Sequence, residues 1–131
     1  MNNFVDDRGH SIFDIFPLDK GQINYSEIHP GAIKAFHRHK HQTDYWICIE
    51  GDILVNLVDK EKGEIKRRIL SSKIPHLLEI APGIYHGYKA IGDKPAKILY
   101  YVTNKYNPNE PDEERLGYDF FGELLWEIKN K

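Results

Sequence analysis

The chain has one cysteine, Cys48, in 131 residues. One thiol cannot close an internal disulfide or build a cysteine zinc cluster. Neither sign of charge dominates, with 18 Lys and Arg against 20 Asp and Glu, a net of −2. That balance excludes the basic footprint of a nucleic-acid partner and an acidic tail. No apolar run approaches the roughly 18 residues of a membrane span, so no membrane partner is expected. The first residues have no basic and apolar leader. G-x-G-x-x-G, P-loop and G-x-S-x-G motifs are all missing, which leaves nucleotide-hydrolysing and serine-hydrolase chemistry without support. Internal repeats and low-complexity linkers are missing too. The expectation is one domain over residues 1–131, in the reducing cytoplasm. A domain of this size buries roughly two-thirds of its unfolded surface, enough for a core without staples.

What is present is a series of turn signals at short intervals. Arg8-Gly9, Lys20-Gly21, Pro30-Gly31, Glu50-Gly51, Lys62-Gly63, Pro82-Gly83, Gly92-Asp93 and Asn107-Pro108 separate stretches rich in Ile, Val, Tyr and Leu. Short strands at such spacing define an all-β sandwich or barrel. Residues 45–49 and 53–58 form the clearest hairpin, and their nearly continuous apolar content predicts cover on both faces. Residues 97–102 read as another buried strand, and residues 59–66 as a solvated hairpin tip. Residues 112–131 are ambiguous. Phe120, Phe121, Leu124, Leu125 and Ile128 fit a helical period, so a short C-terminal helix or a terminal strand is expected. Cys48, inside an apolar strand, reads as a packing residue.

Of seven histidines, His37, His39 and His41 are spaced by two, which places them on one face of a strand. Asp44 follows, and His86 arrives later, after Pro82-Gly83. Neutral imidazole and carboxylate suit zinc, iron, manganese or nickel. The same groups suit acid–base work near neutral pH. His10, His29, His41 and His76 read as solvated. The spacing G-x5-H-x-H-x4-D-x6-G, from Gly31 to Gly51, resembles the first cupin motif, with Asp44 in place of Glu. Pro82-Gly83-x-x-His86 resembles the core of the second. This implies a double-stranded β-helix. In its metal-binding members the equivalent residues, here His37, His39, Asp44 and His86, would hold one divalent ion.

Further segments follow in order along most of the chain. They are Asp7-Arg8-Gly9, Gln22-Ile23-Asn24-Tyr25-Ser26, Lys34-Ala35-Phe36-His37, Gln42 ahead of Gly51, residues 80–88, Tyr100-x5-Tyr106-Asn107-Pro108 and Asp119-x6-Trp126. Together they resemble the nucleotide-sugar 3,5-epimerases of the dTDP-4-dehydrorhamnose type, a metal-independent cupin family. The resemblance implies His37 as catalytic base and Tyr100 as catalytic acid. It implies Arg8 and Lys34 as a phosphate clamp, and Gln22, Asn24, Gln42, His86 and Tyr106 as the lining of the sugar-nucleotide site. The implied partner is a nucleotide sugar, with no cofactor. A homodimer is implied because family members exchange N-terminal strands and share the site.

The chemistry agrees with these residue types. Epimerisation beside a ketone needs a base for the α-proton, enolate stabilisation, and an acid on the opposite face. Two departures stand out. Asp44 lies where the family has a Lys near the keto oxygen. The family's acid that orients its catalytic His lies beyond the position of Trp126, and this sequence has no counterpart there, which makes Asp44 the candidate partner of His37. Three readings result: a nucleotide-sugar epimerase or isomerase in polysaccharide or deoxysugar synthesis; a metal-dependent cupin enzyme using His37, His39, Asp44 and His86; or a non-catalytic nucleotide-sugar-binding module.

Overall fold

Runs of β-branched and aromatic residues between glycine turns become strands, the arrangement such residues favour on a pleated surface. A computed structural model describes residues 1–128. In chain order the strands are β1 (Asn2–Asp6), β2 (Gly9–Phe13), β3 (Gln22–Ile28), β4 (Ile33–Arg38), β5 (Asp44–Glu50), β6 (Asp52–Asp59), β7 (Glu64–Ser71), β8 (Leu78–Ile80), β9 (Tyr85–Ile91), β10 (Ala96–Val102) and β11 (Glu114–Arg115). A 3-10 turn, Glu123–Trp126, follows. The pairings are antiparallel and build two sheets, ordered β1-β2-β3-β10-β5-β8 and β11-β4-β9-β6-β7. Gly51 makes the β5–β6 reversal with φ 75°, and a Cβ there would lie 2.8 Å from the Pro95 carbonyl oxygen. That combination of backbone angle and close approach requires glycine.

The core fills the space between the sheets. Ile28, Trp46, Cys48, Ile53, Val55, Ile80, Tyr88, Ala90 and Ile98 are among its buried members. Cys48 is buried and free, as a packing residue should be. The hairpin over residues 45–58 is present, but only β6 is covered on both faces. On β5, Tyr45 and Ile47 are half-buried and Ile49 is exposed. On β10, Leu99 is exposed while Ile98 is buried. The expected two-sided burial of these strands is therefore corrected. They lie at the middle of the six-stranded sheet, whose outer face no segment of the described chain covers.

The outer face of the five-stranded sheet is covered. Residues 116–126 cross it, and Phe121, Leu125 and Trp126 pack on Phe36, Leu54, Val58 and Tyr85. The helical spacing of Phe120, Phe121, Leu124 and Leu125 yields only the single 3-10 turn. Gly122, with φ 102°, breaks the run, and a sheet face rewards a flat strap rather than a cylinder. The part of this expectation that falls on residues 129–131 lies outside the described residues. Side chains of the sheet hold the strap by its carbonyls: Asn56 Nδ2 donates to Leu125 O, Lys89 Nζ to Trp126 O and Arg67 Nη2 to Glu127 O. Trp126 Nε1 donates to Tyr118 O at 2.8 Å. Trp126→Ala is expected to lose about 3–5 kcal/mol, the usual cost of emptying a large aromatic site. Urea denaturation reads this directly; a loss below about 1 kcal/mol would show that the strap does not hold the sheet.

Candidate active site

Two antiparallel strands bring the first pair of histidines together. His37 of β4 is registered with His86 of β9, after an irregularity between Lys34 and His37. Gly87 permits this, since a Cβ there would lie 2.8 Å from Ala35 Cα and 2.9 Å from Lys34 O. The His37 and His86 rings are 4.4 Å apart. His39 lies one residue beyond the end of β4, with its ring 5.2 Å from His37 and 5.5 Å from His86. Strand periodicity thus continues for one side chain past the last strand residue. His41 does not join the others and is exposed.

Accounting for each ring nitrogen fixes the tautomers. His86 Nδ1 lies 3.0 Å from Ile84 O and His39 Nδ1 lies 2.6 Å from Asp112 O. A carbonyl only accepts, so both Nδ1 atoms carry the proton. His37 Nδ1 lies 3.0 Å from Glu113 Oε1. The hydrogen bond from His37 holds Glu113 below the usual carboxylate range, burial opposes it, and Arg115 at 2.9 Å adds to the lowering. Glu113 is therefore an anion that accepts from His37 Nδ1. In the neutral form of each ring, Nε2 is then the lone pair. One nitrogen of each ring lies within 4.8 Å of those of the other two. His86 Nε2 is buried without a hydrogen-bond partner. Burial, and then repulsion from His37 or His39 whenever either is protonated, push His86 well below its ordinary pKa and keep it neutral.

Asp44, the first residue of β5, stands beside this group. Its carboxylate lies 3.8 Å from His39 Nε2 and 3.7 Å from His86 Nε2. Gln42 Nε2 donates to it at 2.8 Å and Trp46 Nε1 at 3.1 Å. The expectation that Asp44 partners His37 is corrected: that partner is Glu113. The three-histidine set with Asp44 alongside has the donor chemistry and the fixed tautomers of a divalent-metal site. The unpaired, buried His86 Nε2 fits the same role, so the residues present match such an ion.

Tyr100 projects from the opposite sheet into the core. Its phenol is pushed up to about 12, first by burial, with Ser26 pulling down and Asp44 pushing up. It is fully protonated at neutral pH. Trp46 lies between it and the histidines, its ring 6.1 Å from Tyr100 and 5.5 Å from His86.

The other expected site residues divide into two groups. Lys34 is half-buried, with Nζ 3.4 Å from Ser11 Oγ. Burial, and then the Arg8 charge, lower its pKa. Arg8 is nearby and ion-paired with Asp6. The two cations lie close enough for the Arg8 charge to act on Lys34. Gln22 and Asn24 are buried and serve the scaffold: Gln22 Nε2 donates to Asn24 Oδ1, Gln22 Oε1 accepts from Tyr106 N, and Asn24 Oδ1 accepts from Asp14 N. The Tyr106 side chain is exposed and its backbone alone makes this contact.

Asp112 and Glu113 were missed. Asp112 accepts from the backbone N–H groups of Lys40, His41 and Gln42, and its carbonyl fixes His39. Glu113 fixes His37. The one signal in the sequence is the run of acids after Pro111, which looks like a solvated loop until the pairing of β11 with β4 brings it beside the histidines.

Two antiparallel sheets enclosing an inward-facing His/His/Asp/His group define a double-stranded β-helix of the cupin type. The chain belongs to the family described as "Polysaccharide biosynthesis C-terminal domain", whose model matches residues 4–114. It is 41% identical to the spore coat polysaccharide biosynthesis protein SpsL of Bacillus subtilis, over 76% of this chain and 69% of that protein. It is 34% identical to the probable low-salt glycan biosynthesis epimerase Agl13 of Haloferax volcanii, over 88% of this chain and 81% of that protein. Among solved structures, a dTDP sugar isomerase from Desulfovibrio desulfuricans matches at TM-score 0.74 and 27% identity, over 95% of this chain and 86% of that one. The capsular polysaccharide assembling protein CapF of Staphylococcus aureus matches at TM-score 0.82 and 25% identity, over 88% of this chain. This chain spans only 31% of CapF's length.

Proposed function

We propose that this chain is a sugar epimerase or isomerase acting on a nucleotide-linked 4-keto hexose in polysaccharide biosynthesis. The observation that carries the reading is His37, whose Nδ1–H is held by Glu113 at 3.0 Å, leaving Nε2 as a base. His37 removes the proton next to the carbonyl, and Tyr100, on the opposite sheet, returns one to the other face. Arg8 and Lys34 attract the pyrophosphate, whose binding positions the ring. The names of Agl13 and the dTDP sugar isomerase support the reaction class. The test is incubation with dTDP-4-keto-6-deoxyglucose in D2O. A mass gain of one or two units, with appearance of the C3 or C5 epimer, is expected. An unlabelled sugar here and with other 4-keto nucleotide hexoses would contradict the reading.

A second reading rests on the convergence of one imidazole nitrogen from each of three histidines within 4.8 Å. His37, His39 and His86, with Asp44, would hold a divalent ion, which when bound supplies Lewis-acid stabilisation of an enolate oxygen. The two readings compete for His37 Nε2, because a coordinated nitrogen cannot take a proton. Elemental analysis of the purified protein with and without chelation, scored against deuterium uptake, separates them.

We also infer a homodimer through the open face of the six-stranded sheet. Ile23, Tyr45, Ile47, Leu77, Leu99, Tyr100 and Tyr101 line a shallow apolar groove there. Aromatic and apolar side chains are enriched at the centre of stable interfaces. Sedimentation is expected to show a dimer, and Leu99→Asp a monomer. A monomeric wild-type protein at micromolar concentration would contradict this.

A further inference from the structure

Removing a proton on one face and returning one on the other leaves two residues out of balance after each turnover. His37 holds an extra proton and Tyr100 lacks one. His37 is partly exposed, so it can return its proton to water. Tyr100 is partly buried, with its hydroxyl hydrogen-bonded to Ser26, so the groups behind it offer a path by which it can regain one.

Behind the phenol runs an unbroken line of polar groups. Tyr100 Oη lies 3.1 Å from Ser26 Oγ, Ser26 Oγ lies 2.6 Å from Ser11 Oγ, and Lys34 Nζ lies 3.4 Å from Ser11 Oγ. Ser11 and Ser26 are both buried. Neither is used by the base or by the phosphate clamp. The direction of the line is set at its outer end. An ammonium only donates, so Ser11 accepts from Lys34 and has its own proton for Ser26. Ser26 then has its proton for Tyr100, and the Tyr100 hydroxyl proton is left free to point into the barrel. Lysine, unlike arginine, can release a proton in a protein, and burial of Lys34 makes that release easier. Tyr88, the other phenol near Ser26, is driven far above its ordinary pKa by burial and stays protonated. It is not a competing source.

Resting on the epimerase reading above, we propose that Lys34, Ser11 and Ser26 form a proton relay that recharges Tyr100. When the substrate carbanion takes the phenol proton, a C–H bond forms and the Tyr100 O–H bond breaks. Ser26 passes its proton to Tyr100, Ser11 passes one to Ser26, and Lys34 Nζ passes one to Ser11. Lys34, left as the neutral amine, takes a proton from water. With the proton that His37 releases, the cycle closes without net change. Ser11 and Ser26 are positioning and relay residues, not catalytic residues.

Two measurements test this. In D2O with substrate, Ser26→Ala and Ser11→Ala are each expected to lower formation of the inverted product by at least about 10-fold, within the range of general-acid effects. Deuterium uptake with retention, which needs only His37, continues at the wild-type rate. Because the two hydroxyls act in series, the double variant is expected to equal either single one. Additive losses mark two separate structural effects and overturn the relay. Lys34→Arg, which keeps the charge, is expected to depress kcat for inversion more than it raises KM; an effect confined to KM also overturns it.

The second measurement needs no substrate. The Tyr100 hydroxyl exchange rate, followed by the deuterium shift on a 13C-labelled ring carbon, is expected to slow in Ser26→Ala and in Ser11→Ala. Unchanged exchange in both overturns the relay whatever the substrate is. Slowed exchange in a protein that labels no 4-keto sugar retains the relay and overturns the epimerase reading alone.

Discussion

His37→Asn is expected to abolish deuterium uptake beside the sugar carbonyl, a fall of at least about 10²-fold, at the lower end of what a positioned base contributes. The residue is placed for this effect by three separate features. The β4 irregularity and the close approach at Gly87 bring its ring to 4.4 Å from His86. Glu113 sets its tautomer. His86 beside it is buried and neutral. The fold should survive, because the half-exposed His37 ring contributes little to the core. Uptake measured by mass spectrometry, beside an unfolding curve of the same sample, checks both statements. A variant that folds normally and labels its substrate at the wild-type rate would remove His37 from the mechanism.

Glu113→Gln is expected to produce the second large effect, a loss of about 10² to 10⁴ in turnover with a smaller change in KM. An amide can present its NH2 to the imidazole and so favour the wrong tautomer, the outcome known for acid-to-amide changes at histidine–acid pairs. The same substitution changes the pH dependence of stability, with a definite sign. Glu113 is held below its unfolded pKa, first by the hydrogen bond from His37. Its stabilisation is therefore fully present above the ordinary glutamate range, near about 4.3, and is lost as the pH falls through the lower folded value. The stability gap between wild type and Glu113→Gln is expected to be widest near neutrality and to close in acid. A gap that stays constant from pH 7 to pH 3 would show that the carboxylate charge plays no part.

The strand pattern was legible wherever local rules decide it. The alternation of Gln22, Asn24, Ser26 and Ile28, all buried, needs only a period of two. The His37/His39 spacing and the late arrival of His86 likewise pointed to one site. What was not legible depends on long-range pairing. Glu113 and Asp112 lie about seventy residues from the loop they hold, and their acidic surroundings look like solvated chain until β11 adds to the edge of β4. Phe120, Phe121, Leu124 and Leu125 have a helical period, yet the apolar face around Phe36 draws them into a strap. Burial of β5 and β10 was overread for a related reason. Apolar residues on both sides of a strand show that both faces avoid water, but not whether a segment of the same chain covers them. Asp44 was correctly picked out as unusual. Its role changed once geometry placed it against His39, His86, Gln42 and Trp46 rather than His37.

The central claim is that His37, held by Glu113, is a base acting beside a sugar carbonyl. It is tested most directly by deuterium uptake into dTDP-4-keto-6-deoxyglucose, with protein stripped of metal by chelation and verified by elemental analysis. Uptake at the carbon next to the carbonyl is predicted to persist in the stripped protein and to vanish in stripped His37→Asn. Uptake that disappears on chelation and returns with one divalent ion per chain would contradict the claim and assign the histidines to a metal.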